Sequence, residues 1–318
     1  MRDSICDVPG IKVGHAQDDI GGTGCTVILP DNAAVCGVDV AGGGPGTRET
    51  DALNPVNLIQ GVHAVYLGGG SAYGLAGADG VMTWCEENGR GYDVGVGVVP
   101  IVPSAVLFDL PVADYHARPD KSMGYQACVN AKTDETRCGN VGAGTGASVG
   151  KTKGMDLAMK GGLGTASMTC NGIVIGAIVA VNSVGDVINP ASGEIIAGVL
   201  NDDKSGFAGA MNVYKQLLGS GDESKVTTSN TTIGAIATNA SLTKAQATKV
   251  SMMAHDGFAR VINPIHTLHD GDTIFTLSTG DKKADVSMIG ALAAEVMATA
   301  VIRAVKTAET RYGIKGLG

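Results

Sequence analysis

The chain has 318 residues, 44% hydrophobic and 17% charged, a balance that supports a large core and excludes a disordered chain. Its 23 basic and 31 acidic residues leave a net charge of −8, and no basic patch or stripe points to a nucleic-acid partner. Glycine occurs 48 times without the G-x-y period of collagen, so tight turns and close backbone approaches are expected instead.

The longest apolar run, 172–181, is short of the ~20 residues that span a bilayer. The opening MRDSICDVPG has no apolar signal-peptide segment. These features predict no membrane partner and a cytoplasmic location. Seven cysteines without a CxxC pair read as reduced thiols, not as a disulfide frame.

Along the first 200 residues, short apolar runs alternate with glycine-rich turns. Strands are predicted at 24–29, 62–67, 92–102 and 172–181. The last, GIVIGAIVAV, is apolar on both faces and reads as a buried strand. Helices are predicted at 73–88 and 201–218. The polar stretch 219–230, GSGDESKVTTSN, reads as a surface loop or linker. After it come a strand at 231–238, a helix capped by Ser241 or Thr243 and reaching about Val261, a strand at 273–278 and a helix at 286–308. The pattern is α/β, with a strand-helix-strand-helix tail and no internal repeat.

Several familiar motifs fail on inspection. Gly150-Lys151-Thr152 ends like a phosphate-binding loop, but position 145 is Thr where that loop needs Gly. Residues 142–147 fit a loose GxGxxG/A pattern that a glycine-rich chain matches by chance. His266 and His269 are close in sequence, yet no metal-ligand set surrounds them. No metal and no cofactor are expected.

Two constellations remain. At Asn230-Thr231 a polar linker meets an apolar strand at a hydroxyl residue. Loop chemistry alone explains this, but so does self-cleavage, in which the Thr231 hydroxyl attacks the Asn230 carbonyl. That step exposes Thr231 as a new N-terminus. Its α-amine, with a pKa of about 8, would serve as base toward its own hydroxyl. Asp270-Gly271-Asp272 is the second. It suits a β-turn, or a carboxylate pair that holds the Thr231 amine and hydroxyl.

These residues stand among motifs spread over nearly the whole chain. They include DVPGIKVGH (7–15), TGCTVIL (23–29), GGGPGTRETD (42–51), LGGGSAYG (67–74), KGGLG (160–164), NTTIG (230–234), ATN (237–239), MAHDG (253–257) and HDGD (269–272). Together they resemble the P1 family of self-processing peptidases, comprising L-aminopeptidases/D-esterases, β-peptidyl aminopeptidases and nylon-oligomer endohydrolases. The resemblance implies a four-layer αββα sandwich of N-terminal-nucleophile-hydrolase type with its own connectivity. It implies one domain cut into an α chain, 1–230, and a β chain, 231–318, that stay together. Thr231 would be the nucleophile, with Asp270 and Asp272 as its partners. Thr with Asp-Gly-Asp is more like the nylon-oligomer branch than the Ser-based aminopeptidases.

By the same resemblance, Lys151 is the active-site lysine, with Lys153 as the alternative register, and Asn182 supports the oxyanion. Both residue types make sensible donors to a developing oxyanion. Phe108 stands at a substrate-binding position where nylon-oligomer hydrolases have Tyr. The implied activity is hydrolysis of short oligoamides or peptides through a Thr acyl-enzyme, in a homotetramer of αβ heterodimers. The alternatives are an aminopeptidase that needs a free substrate amine, and an uncleaved, non-enzymatic binding protein.

Overall fold

The computed structural model describes residues 2–220 and 230–318. Its main strands in chain order are β1 (Ile11–Asp18), β2 (Thr23–Pro30), β3 (Val35–Val40), β4 (Gly46–Arg48), β5 (Val65–Gly68), β6 (Ser104–Val106), β7 (Gly162–Cys170), β8 (Ile173–Asn182), β9 (Thr231–Ala240) and β10 (Thr273–Lys282). The α-helices are α1 (Gly77–Glu87), α2 (Lys121–Val129), α3 (Ala210–Ser220), α4 (Lys244–Val261) and α5 (Val286–Lys306).

Two five-stranded sheets form, in the orders β1-β2-β5-β6-β4 and β7-β8-β9-β10-β3. Each pairs antiparallel throughout, except for β5 with β6 in the first and β9 with β10 in the second. Successive strand side chains point to opposite faces, and the cores follow that rule. On β8, Ile178 and Ala180 join a core between the sheets, with Ile28, Leu67, Ile233 and Phe275. Ala177, Val179 and Val181 face the other way, toward Phe258 of α4 and Met297 of α5. Cys25, Val27 and Leu29 of β2 likewise pack beneath Ala78 and Val81 of α1. Three cores separate four layers, giving the αββα sandwich that the motifs imply. All seven cysteines are unpaired.

α4 begins where sequence chemistry places it. Thr243 accepts from the Gln246 amide, and the Gln246 side chain answers the Thr243 amide in a capping box. α5 is the one helix among the described residues with the length and apolar composition of a membrane span. It packs instead on β7, β8 and α4, with Ile289, Val296, Met297 and Val301 buried.

Several predicted elements are corrected. The 92–102 strand is only a short ribbon, Tyr92–Asp93 against Val98–Val99. Gly95, at φ +81°, reverses the chain between them. The 201–218 helix starts at Ala210, because Asn201 and Asp203 side chains accept from the Gly206 and Ser205 amides and favour turns. The 73–88 helix enters through a 3-10 segment, Ser71–Ala76. The 62–67 strand lies at β5, three residues later at its start, and the last helix ends at Lys306. α2 went unpredicted: it is short and weakly apolar, and Asp120 caps it through the Met123 amide. Most of the predicted linker, 221–229, lies outside the described residues; Gly219 and Ser220 close α3.

Candidate active site

Strand register gathers the predicted residues at one end of the gap between the sheets. β8 ends at Asn182, paired directly with Thr231 at the start of β9. β10 runs parallel to β9 from Thr273, so Asp270 and Asp272 lie at its entry. β3 is antiparallel to β10 and ends at Val40, opposite Thr273. The glycines that follow cross this entry, Gly42 N–H donating to the Asp272 carbonyl (3.3 Å) and Gly44 N–H to that of Asp270 (2.8 Å). By alternation Thr231 shares the inner face with Ile233 and Ala235, and Asn182 shares it with Ile178 and Ala180.

The sequence predicts Asn230 as the end of an exposed loop. It is instead buried, 2% exposed. It forms a parallel bridge with Asp270, its amide donating to the His269 carbonyl at 3.1 Å. The Asn230 carbonyl accepts the Thr231 hydroxyl and, at 3.2 Å, the Gly271 amide. The hydroxyl is thus seated against the carbonyl group of its own peptide bond. Gly271 fits because it lacks a side chain: a β-carbon there would stand 2.8 Å from Thr231 Oγ1.

The two carboxylates are fully buried and differently occupied. Asp270 Oδ2 accepts from Thr267, from both its amide (3.0 Å) and its hydroxyl (2.5 Å). Its Oδ1 has no hydrogen-bond partner among the described residues. Asp272 Oδ1 accepts from the Thr232 amide at 2.7 Å, and its Oδ2 from the amide (3.1 Å) and ring Nδ1 (2.8 Å) of His266. Burial pushes the Asp270 carboxyl above its usual range, and the Asp272 charge pushes it further. Tyr214 of α3 is also raised, by burial and then by the Asp270 charge, which places that helix near the site.

The two candidate lysines point in different directions. Lys151 is buried, and its Nζ donates to both the main-chain and side-chain oxygens of Asn182, each at 2.9 Å. Burial pulls it down to about 7, while the Asp270 charge opposes that fall. Lys153 points outward to Asp202. Asn182 accepts from the Ser148 amide at 3.0 Å and donates through Nδ2 to the Phe108 carbonyl at 2.9 Å. Phe108 lines a cavity of about 120 Å3 with Ser71, Leu107, Thr231, Leu268 and His269. The structure therefore brings together Lys151, Asn182, Thr231, Asp270, Asp272 and Phe108.

The pattern of residue types in this sequence, from Asp3 to Leu317, is that of peptidase family S58. The chain belongs to that family. Its relatives include an uncharacterized aminopeptidase of Mycobacterium leprae (strain TN), 44% identical over 98% of this chain and 92% of the relative. A 6-aminohexanoate-oligomer endohydrolase of Kocuria sp. (strain KY2) is 31% identical over 94% of this chain and 85% of its own. Among solved structures, the L-aminopeptidase D-Ala-esterase/amidase from Ochrobactrum anthropi aligns with a TM-score of 0.75 at 17% identity. It covers 100% of this chain and 91% of that one, and is a variant among the Ntn-hydrolase fold. The fold is shared at that distance, and S58 membership makes this chain a peptidase or amide hydrolase by family.

Sequence reasoning missed the Gly271 amide, His266 and Thr267. Backbone donors carry no residue signature. The two side chains do leave one: a His-Thr pair a few residues ahead of Asp-Gly-Asp is turn chemistry that returns to cap the carboxylates.

Proposed function

We propose that this S58 chain is an autoprocessing N-terminal-nucleophile amide hydrolase. The observation that carries the reading is the Thr231 hydroxyl lying on the Asn230 carbonyl, which the Gly271 amide also holds. Thr231 Oγ1 attacks the Asn230 carbonyl carbon, and its proton passes to Asp270, whose free oxygen and raised carboxyl suit a base. The Gly271 amide supports the charge that develops on the carbonyl oxygen. Collapse breaks the C–N bond as Asp270 returns the proton to the departing nitrogen, leaving an ester and a Thr231 amine. Water then splits the ester, yielding an Asn230 carboxylate.

In turnover the Thr231 amine takes the hydroxyl proton as Thr231 attacks a substrate amide, then passes it to the nitrogen as the C–N bond breaks, releasing the amine product and leaving an acyl-enzyme. Asp270 and Asp272 orient Thr231; Lys151 and Asn182 support the oxyanion. Water releases the acid. The two processed chains stay together, since β9 lies between β8 and β10 in the sheet. We further place the protein in the cytoplasm as a tetramer of such pairs.

The substrate is a short oligoamide or peptide. None of the described residues lining the cavity beside Thr231 is acidic, which favours an uncharged amide chain there over an ammonium terminus. The aminopeptidase reading draws its support from the name of the 44% identical relative.

Intact-mass measurement after incubation tests the proposal. Wild type should yield a fragment of residues 231–318, about 9 kDa of the 32.0 kDa chain, beginning Thr-Thr-Ile-Gly. Thr231→Ala should stay whole, folded and inactive, and Thr231→Ser should still process. A wild type that remains one chain, or an active Thr231→Ala, refutes the reading.

A further inference from the structure

We propose that His266 is a positioning residue for the acidic pair, fixing Asp272 so that its other oxygen is aimed at the first residues of β9. The inference rests on the self-cleavage reading above and adds a residue that the mechanism has not used.

The geometry begins with a fully buried carboxylate. Such a group must find donors for its lone pairs. Asp272 finds one at the Thr232 amide, 2.7 Å away on Oδ1. Its other oxygen is held twice by one residue, through the His266 amide at 3.1 Å and Nδ1 at 2.8 Å. A carboxylate oxygen only accepts, so Nδ1 carries the hydrogen.

His266 is shaped for this. Its φ of +59° lies in the left-handed region, uncommon for a residue with a side chain. That turn of the backbone sets its amide and its ring on the same oxygen. The ring is fixed from behind by α4, with its centroid 4.7 Å from that of His255, edge to face, and 6.3 Å from that of Phe258. His255 is itself tied to the Asp39 carbonyl at 3.2 Å. The next residue, Thr267, grips Asp270 in the same manner. Two adjacent residues therefore each seat one carboxylate.

The consequence concerns both steps. Before cleavage, Asp272 holds the Thr232 amide and with it the register of the scissile bond. After cleavage, the Thr231 amine lies one residue from that contact. Loosening Asp272 displaces the nucleophile, and a displacement near 1 Å can cost ~10²-fold in rate.

The test is a self-cleavage time course on freshly synthesised precursor, comparing wild type, His266→Phe, His266→Asn and His266→Gln. Phe keeps a ring against His255 but has no donor; cleavage should slow by ~10–10²-fold. Asn can set its amide nitrogen where Nδ1 stands, and should recover most of the rate. Gln reaches the Nε2 position instead and should not recover it. This contrast holds even if the Phe variant misfolds, and a purely structural role would not produce it. Phe cleaving within twofold of wild type, or Gln recovering as fully as Asn, overturns the inference while wild-type cleavage keeps the self-cleavage reading. A wild type that never cleaves removes both.

Discussion

Replacing Gly271 with Ala tests the self-cleavage geometry directly. The added carbon would lie 2.8 Å from Thr231 Oγ1, 2.9 Å from the Gly44 carbonyl oxygen and 3.1 Å from Pro45 Cα. Ordinary contact begins at 3.4 Å, so something must move by roughly half an ångström. Two of the three neighbours are backbone or ring atoms that yield little. The third is the hydroxyl of a β-branched side chain with few rotamers. Either the hydroxyl leaves the Asn230 carbonyl, or the 270–272 loop retreats and lengthens the 3.2 Å Gly271 hydrogen bond. The first outcome misplaces the nucleophile, at ~10²-fold for a shift approaching 1 Å. The second weakens an oxyanion donor whose complete loss typically costs ~10²–10³-fold. Overpacking itself costs about 1–3 kcal/mol, a fall of several degrees in melting temperature. Precursor should therefore persist about a hundred times longer than wild type, in a protein that still melts cooperatively. The assay is precursor fraction against time by gel, with a thermal melt alongside. Cleavage within threefold of wild type would refute the claim that this approach sets the reaction geometry.

Two further outcomes are expected. Asp270→Asn should slow self-cleavage by ~10²–10⁴-fold as a lost base. Asp272→Asn should slow it less, because that carboxylate orients and already spends both oxygens on Thr232 and His266; near-wild-type cleavage in both would reduce the Asp-Gly-Asp to a turn. Lys151, held near 7 in the fold, has an ordinary value of about 10.4 when unfolded. From about pH 7 to about pH 10 the unfolded chain binds the extra proton, so this group's contribution to stability rises with pH and is lost as pH falls through 7. The melting temperature of wild type relative to Lys151→Met should therefore climb from pH 7 to pH 9; a gap that does not change with pH would contradict the buried, depressed ammonium.

The layer architecture was legible because strand alternation is strong in this chain. The run 172–181 reads as buried on both faces, and in the fold its residues feed two different cores. What failed were the places where side chains turn back on the backbone. Asn201 and Asp203 hold turns where periodicity suggests helix. Gly95 folds a predicted strand into a ribbon. At the site, Thr231, Asp270 and Asp272 were visible as chemistry-bearing types at a junction and a turn. Lys151 and Lys153 could not be separated along the chain, because only the fold shows which one turns inward to Asn182. Nor could the donors that seat the carboxylates, which arise from loop closure rather than from composition.

The placement of the proposed scissile bond would resolve a conflict inherent in making a nucleophile from a buried strand. A new N-terminus is normally a frayed end, yet a nucleophile must be held in place. Here Thr231 is the first residue of a ten-residue central strand, paired on both sides, to β8 from Asn182 and to β10 from Ile233 onward. Cutting ahead of it severs one covalent link and none of that ladder. The Thr232 amide is held by Asp272, so an amine liberated by the proposed cut would be anchored within one residue of its end. The same cut supplies room. In the uncut chain the cavity is about 120 Å3 and is walled in part by Asn230, well under the ~300–1,000 Å3 of sites that enclose small molecules. Withdrawal of Asn230 removes that wall beside the hydroxyl. On this reading, the step that creates the amine is also the step that opens the site to an amide chain. On the same reading the precursor would be inactive for both reasons at once.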